Sequence, residues 1–432
     1  MWWRLTLFLL VCCCPSVVVA QCQDVWVQVG DGFGDDACQV GEVPGDSTTL
    51  GVRPLLDETA SIAVYACDSG IARATVYDRS SSDSWVFRPD TSGSLSNLGQ
   101  PQDLSADGTI LAFDRGVYQY DGTMWNQLGN DITTRVSQGA LAGDGLTVAY
   151  RTLVDVSVYT YNSNTAQWEQ QGDVLSSSAT ELGGISGDGT TVAVIDEGDE
   201  SVVDVFRFSN GAWQQIGESI EVDGRIFLTA DLSQDGNTIV IGDPRDRGPS
   251  TNSDLGAVNV YRFQNGQWAQ VGDSIEGGGV VDCEGLSDVF FFIEPTCNDE
   301  SGYSVAISSA GDRVAIGSAP MMGYVRVFED VGGEWRQVGG DLFPSIASQQ
   351  VSISSDGTTI AIGGSDAPVQ VFEIQCVAGA VPRPTQAPFS PEGECSLGFL
   401  CPVVAFFGNS VFLAVFGPLA AFLAFVLGVF RV

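Results

Sequence analysis

SVAISSAGDRVAIGSAPMMGYVRVFEDVGGEWRQVG, Ser304–Gly339, decides the fold. It alternates over Ser304–Ser308, turns over Ser309–Asp312 and returns as Arg313–Gly317. A second alternation covers Tyr324–Glu329, and after Gly332-Gly333 the segment ends on a strand around Trp335. Short alternating runs joined by Gly-rich turns fold as one twisted antiparallel sheet. Small residues fill the first two strands and bulky aromatics the last two. That taper suits sheets that radiate from an axis, with the gap between them widening outward.

The same two phrases recur along the chain. W-x-Q-x-G opens at Trp26, Trp125, Trp168, Trp213, Trp268 and Trp335, with an altered copy at Trp85. A turn phrase recurs at Asp107-Gly108, Asp144-Gly145, Asp188-Gly189, Asp235-Gly236, Gly311-Asp312 and Asp356-Gly357, with a weaker copy near Asp57. A repeat built only of strands and turns is the mark of a propeller or solenoid. The order is offset, because the first Trp strand precedes the first hairpin and the last hairpin has no Trp strand after it. Circular closure resolves this: Asp24–Gly30 becomes the outer strand of the seventh blade, beside Val369–Ile374, and hides edges that would invite aggregation. The expected fold is therefore all-β, a seven-bladed β-propeller over residues 21–376, closed by an N-terminal outer strand. Cys22 and Cys376 would flank that seam and Cys283 and Cys297 share one insertion, which leaves Cys38–Cys67 and Cys395–Cys401. Spacing alone does not fix this connectivity.

GYSVAISSAGDRVAIGSAP (Gly302–Pro320) followed by GYVRVFE resembles the FG-GAP repeat of integrin-alpha-type propellers and their microbial relatives. DLSQDGNTIVIGDP (Asp231–Pro244) with GAVNVYRF (Gly256–Phe263) is similar to it as well. The resemblance covers most of Asp24–Cys376 and implies a cell-surface propeller used for binding or adhesion. Some turns in that family carry a calcium loop, D-x-D-x-D-G-x-x-D. The nearest matches here are Asp103, Ser105 and Asp107, and Asp231, Ser233 and Asp235, each with Ser for the middle acid and no final Asp. Calcium wants about six to eight oxygens, more than such a loop offers from its side chains. Calcium is thus the only cofactor the resemblance suggests, against the simpler reading that Asp-Gly builds the hairpin.

The ends and the composition set the compartment. Residues 1–20 read as a secretory signal peptide, with Arg4, a short apolar core and small residues before Gln21. Residues 377–396 hold a Pro-rich spacer, 397–410 are apolar, and 411–430 carry no charge over a length that spans a bilayer as a helix. A glycolipid-anchor signal is the alternative for that tail. The expectation is a secreted, single-pass membrane protein with its N-terminal domain outside the cell. All eighteen basic residues are arginine, histidine and lysine are absent, and the net charge is −36. Such a surface argues against nucleic-acid partners. Without His or Lys the usual general base, Schiff-base chemistry and Ser-His or Cys-His nucleophiles are missing, leaving carboxylate or Tyr/Arg chemistry.

Two departures from the repeat are the site candidates. One is Asp243–Ala257, with Asp243, Arg245, Asp246, Arg247 and Asp254; the other is Glu276–Glu300, with Asp282, Glu284, Asp288 and the run Phe290, Phe291 and Phe292. In a propeller both emerge on one face, and long loops on a rigid scaffold are where binding concentrates. The expected function is a membrane-tethered extracellular binding or adhesion module that recognises a protein or glycan through this face. The alternative is an extracellular carbohydrate-active enzyme using paired carboxylates at the channel mouth.

Overall fold

The computed structural model describes residues 22–378, except 34–53, 68–72, 89–94, 96–97, 115, 133–135, 154, 177–178, 180, 198–200, 223–226, 248–253, 279–298, 319–322, 344–346 and 366–367, together with 402–407 and 410–415. Seven antiparallel sheets follow one another, the first running Leu55–Leu56, Ile62–Cys67, Arg73–Arg79 and Trp85–Arg88 from the axis outward. The seventh is built from both ends of this region. Ala347–Ile353, Thr359–Ser365 and Gln370–Ala378 form its inner strands, and Cys22–Gln28 pairs with the last as the outer strand. The seam pairs Trp26 with Ile374 and Asp24 with Cys376, whose sulfur is disulfide-bonded. The side chains of Cys22 and Cys67 lie outside the described residues, as do Cys38, Cys283, Cys297, Cys395 and Cys401.

There is no common core. Each apolar cluster lies between two neighbouring sheets: Val240, Val258 and Val260 of blade five, for example, meet Val305, Val314 and Ile316 of blade six. The second strands are covered on both faces, so Thr238–Asp243 is buried along its whole length and reads TIVIGD rather than alternating.

Both repeated phrases fasten one blade to the next. Four indole N–H groups donate to the carbonyl three residues after the preceding blade's tryptophan: Trp168 to Leu128 at 2.6 Å, Trp213 to Gln171 at 2.6 Å, Trp268 to Ile216 at 2.9 Å and Trp335 to Val271 at 2.8 Å. Trp26 completes the series across the seam, reaching Val338 of blade six at 2.8 Å. The glycines that close the later phrases, Gly129, Gly172, Gly217, Gly272 and Gly339, make room for the next indole, whereas Gly30 faces the Asp83–Ser84 backbone. A Cβ on Gly217 would stand 2.8 Å from Trp268 Cδ1, and one on Gly339 2.6 Å from Trp26 Cδ1. The turn phrase works likewise near the axis, where a Cβ on Gly108 would meet Ile62 of blade one at 2.3 Å and one on Gly236 would meet Thr191 of blade four at 2.6 Å. The altered phrase at Trp85 is compensated locally. Phe33 packs on Trp85 and Tyr77 with ring centroids 5.2 and 4.5 Å away, and Arg88 stacks on Tyr120 of blade two.

Residues 384–432 form a separate unit. Within it Pro402–Phe407 pairs with Ser410–Val415 as a hairpin. Residues 411–415 of the expected membrane helix are therefore extended. A β-branched and aromatic run on both sides of Gly408-Asn409 has the sequence of a two-residue hairpin. The rest of that stretch and the 1–20 segment lie outside the described residues. Among the described residues no helix is long and apolar enough to cross a membrane.

Candidate functional site

The second strand of blade five ends at Asp243 because Pro244 cannot continue the ladder. Asp243, 4% exposed, accepts the Arg245 N–H at 3.0 Å and so sets the first turn of the loop. Asp246 follows by donating its N–H to the Asp243 carbonyl at 3.3 Å. Arg247 Nε bonds Asp254 Oδ1 at 3.0 Å, an exposed pair that joins the two ends of the loop and adds little stability. Arg245 lies over the ring of Phe227, 4.7 Å from its centroid. Phe227 is 55% exposed and has φ +69°, a backbone conformation that bulky side chains seldom adopt.

The stems of the two insertions meet. Gly277 N–H bonds the Gly256 carbonyl at 2.9 Å, Glu300 N–H the Asp254 carbonyl at 3.2 Å, and Ser301 N–H the Leu255 carbonyl at 3.1 Å. Such contact requires glycine: a Cβ on Gly256 or on Gly277 would lie 2.2 Å from a backbone oxygen of the facing stem. Blade six grips the second insertion at both ends. Tyr324 donates its hydroxyl to Asp299 and accepts from the Gly278 N–H at 2.8 Å and from Arg326. Arg326 stands 4.0 Å from Asp299, whose side chain is 1% exposed. Burial, and then the Asp299 carboxylate, push the Tyr324 phenol well up despite Arg326.

Asp243, Arg245, Asp246, Arg247 and Asp254 thus lie on the two described ends of one loop, whose residues 248–253 lie outside the described residues. Asp282, Glu284, Asp288, Phe290, Phe291 and Phe292 lie outside the described residues. Sequence reading missed Phe227, Asp299, Tyr324 and Arg326. Tyr324 and Arg326 looked like scaffold because they belong to an alternating strand, and only the fold brings Gly278 and Asp299 to them.

The calcium candidates have other partners. Ser105 Oγ donates to Asp107 Oδ1 at 2.8 Å and accepts the Ile110 N–H at 2.9 Å, while Asp107 also takes the Thr109 N–H at 3.0 Å. Ser233 and Asp235 repeat this with the N–H groups of Thr238 and Asn237. Burial pushes Asp107 and Asp235 up, but the combined hydrogen bonds outweigh it and hold both below the usual carboxylate range. The first acid of each loop reaches the neighbouring blade instead: Asp103 accepts the Leu141 N–H at 2.8 Å and Asp231 the Ile307 N–H at 3.1 Å. Among the described residues no three Asp, Glu, Cys or His side chains gather as metal ligands.

Comparison with known proteins bears on the fold alone. No family model matches the chain, and no curated protein does. The chain is similar in structure to the β-propeller domain of Cps50 (Swd1) from Myceliophteria thermophila, with a TM-score of 0.52 at 10% identity, over 78% of this chain and 99% of that one.

Proposed function

We propose that this chain is an extracellular binding or adhesion module, of the FG-GAP-like kind, that takes a protein or glycan ligand on the loop face of blades five and six. The observation that carries the reading is the junction of the two insertion stems, with Gly256, Gly277 and the Tyr324–Asp299–Arg326 cluster holding both on one rigid edge. Fixing loop stems on a scaffold lowers the ordering cost of binding. Arg245 and Phe227 add an exposed cation and aromatic ring beside it, the residue types enriched at binding hot spots. In this reading residues 1–20 direct secretion, the apolar segment around 411–430 tethers the protein at a membrane or serves as a glycolipid-anchor signal, and a Cys22–Cys376 bond locks the seam. Calcium, if bound, would use the Asp103 or Asp231 loops. The competing enzyme reading needs paired acids at the axis. There Asp57 is already held by the N–H groups of Ser61 and Ile62, and Asp103 by Leu141.

The test replaces residues 279–298 by a short Gly-Ser linker and compares both chains on glycan and cell-surface protein arrays, with and without calcium. Binding by the parent that disappears in the variant, with an unchanged melting midpoint, is expected. Retained binding would move recognition elsewhere, and turnover of an arrayed polysaccharide would favour the enzyme.

A further inference from the structure

The inner hairpins converge on the axis at the face opposite the insertions. Backbone N–H groups link them around the mouth: Glu58 to Ala106 at 3.0 Å, Ala106 to Gly143 at 2.9 Å and Gly143 to Gly187 at 2.8 Å. On the other side Gln234 bonds Ser309 at 3.2 Å, Ser309 bonds Ser355 at 3.0 Å, and Ser355 returns to Glu58 at 2.9 Å. Within this ring one Leu or Ile from each blade, from Leu56 through Ile185 to Ile353, lines a cavity of about 140 Å³.

The rim side chains are small except for two. Glu58 of blade one and Gln234 of blade five meet across the opening, Gln234 Nε2 donating to Glu58 Oε1 at 3.1 Å. Blade four presents glycine beneath them, since a Cβ on Gly187 would fall 2.4 Å from Gln234 Cγ. The Ser355 and Ser309 hydroxyls bond each other at 2.7 Å on the remaining side. Among the described residues no arginine lies within ion-pair distance of Glu58. Its only hydrogen-bond donor there is a neutral amide. Burial and then Asp57 push its carboxyl up, the behaviour of an acid without a counter-charge.

We propose that this axial mouth binds a primary alkylammonium group, with the ammonium on Glu58 and the serine hydroxyls and the alkyl chain on the aliphatic ring. A compact ammonium with three donors suits one carboxylate and two hydroxyls better than a planar guanidinium, which seeks a bidentate acceptor. An inorganic cation would leave the aliphatic ring without a partner. The chain has no lysine, so the ammonium comes from a ligand.

The experiment titrates the purified full chain with n-butylammonium at pH 8, followed by ligand-observed NMR, with n-butanol and sodium as neutral and inorganic controls. Saturable binding of butylammonium is expected, about tenfold or more weaker in Glu58→Gln, as befits loss of a charge-assisted hydrogen bond. Glu58→Gln leaves the rim the same size, and its melting curve checks folding. A second variant, Ser355→Lys, places a tethered ammonium at the same mouth and should abolish butylammonium binding. Equal binding by Glu58→Gln, equal binding of n-butanol, displacement by sodium alone, or no saturable binding would each overturn the proposal.

Discussion

At the scale of the residue, the W-x-Q-x-G phrase is half of a contact whose other half lies one repeat away. The tryptophan of one copy donates to a carbonyl of the previous copy, and that copy's glycine leaves space for the indole. The period was legible in the sequence, and so was the turn-forming role of the glycines. The partnership was not, because the paired residues are 40 to 64 positions apart, and 312 across the seam, spacings that local patterning does not join. Two glycines of blade four separate backbone strain from this contact. Gly211 has φ +82° and nothing within 4 Å of an added Cβ, whereas Gly217 has φ +74° and faces Trp268 at 2.8 Å. Gly211→Ala should cost about 1–2 kcal/mol from the left-handed backbone. Gly217→Ala should add roughly 1–3 kcal/mol of overpacking to that. Urea denaturation of the two variants measures the difference, and equal losses would mean that the indole simply moves aside.

At the scale of the element, the inner hairpins explain why calcium loops and turns are easily confused in this sequence. Asp107 and Asp235 accept from their own turns, and Asp188 and Asp356 do the same with Ser186 and Ser354. Asp103 and Asp231 instead hold the next blade's inner strand, a use that no motif records. The four turn aspartates all titrate below their ordinary value, burial pushing them up and the hydrogen bonds bringing them lower still. A depressed carboxylate contributes stability that is present above the unfolded-chain pKa near 3.8 and is lost as pH falls through the folded value. The melting midpoint should therefore fall steeply below about pH 4. Asp235→Asn should lower it at neutral pH while flattening the acid limb. A variant as acid-sensitive as the parent would show that these turns do not govern acid unfolding.

At the scale of the whole molecule, the offset between Trp strands and hairpins led to the ring closure, and the pairing of Cys22–Gln28 with Gln370–Ala378 is that closure. The insertions were visible as stretched spacing between Trp213 and Trp335. Their shared stem was hidden, because the close approach of Gly256 and Gly277 to the facing backbone depends on blade five and blade six standing side by side. Since apolar clusters join only neighbouring sheets, the molecule is a chain of nearest-neighbour contacts that becomes cooperative by closing on itself. Trp26 supplies the last fastener, and removing its strand exposes the edge of Gln370–Ala378 and unpacks the cluster of Val351, Ile360 and Ile362. The most direct test is thermal unfolding of the full chain against one lacking residues 22–30. One sharp transition is expected for the parent and, for the truncated chain, loss of cooperativity with unfolding well below the parent midpoint. A truncated chain that melts as sharply and at the same temperature would contradict closure by the N-terminal strand.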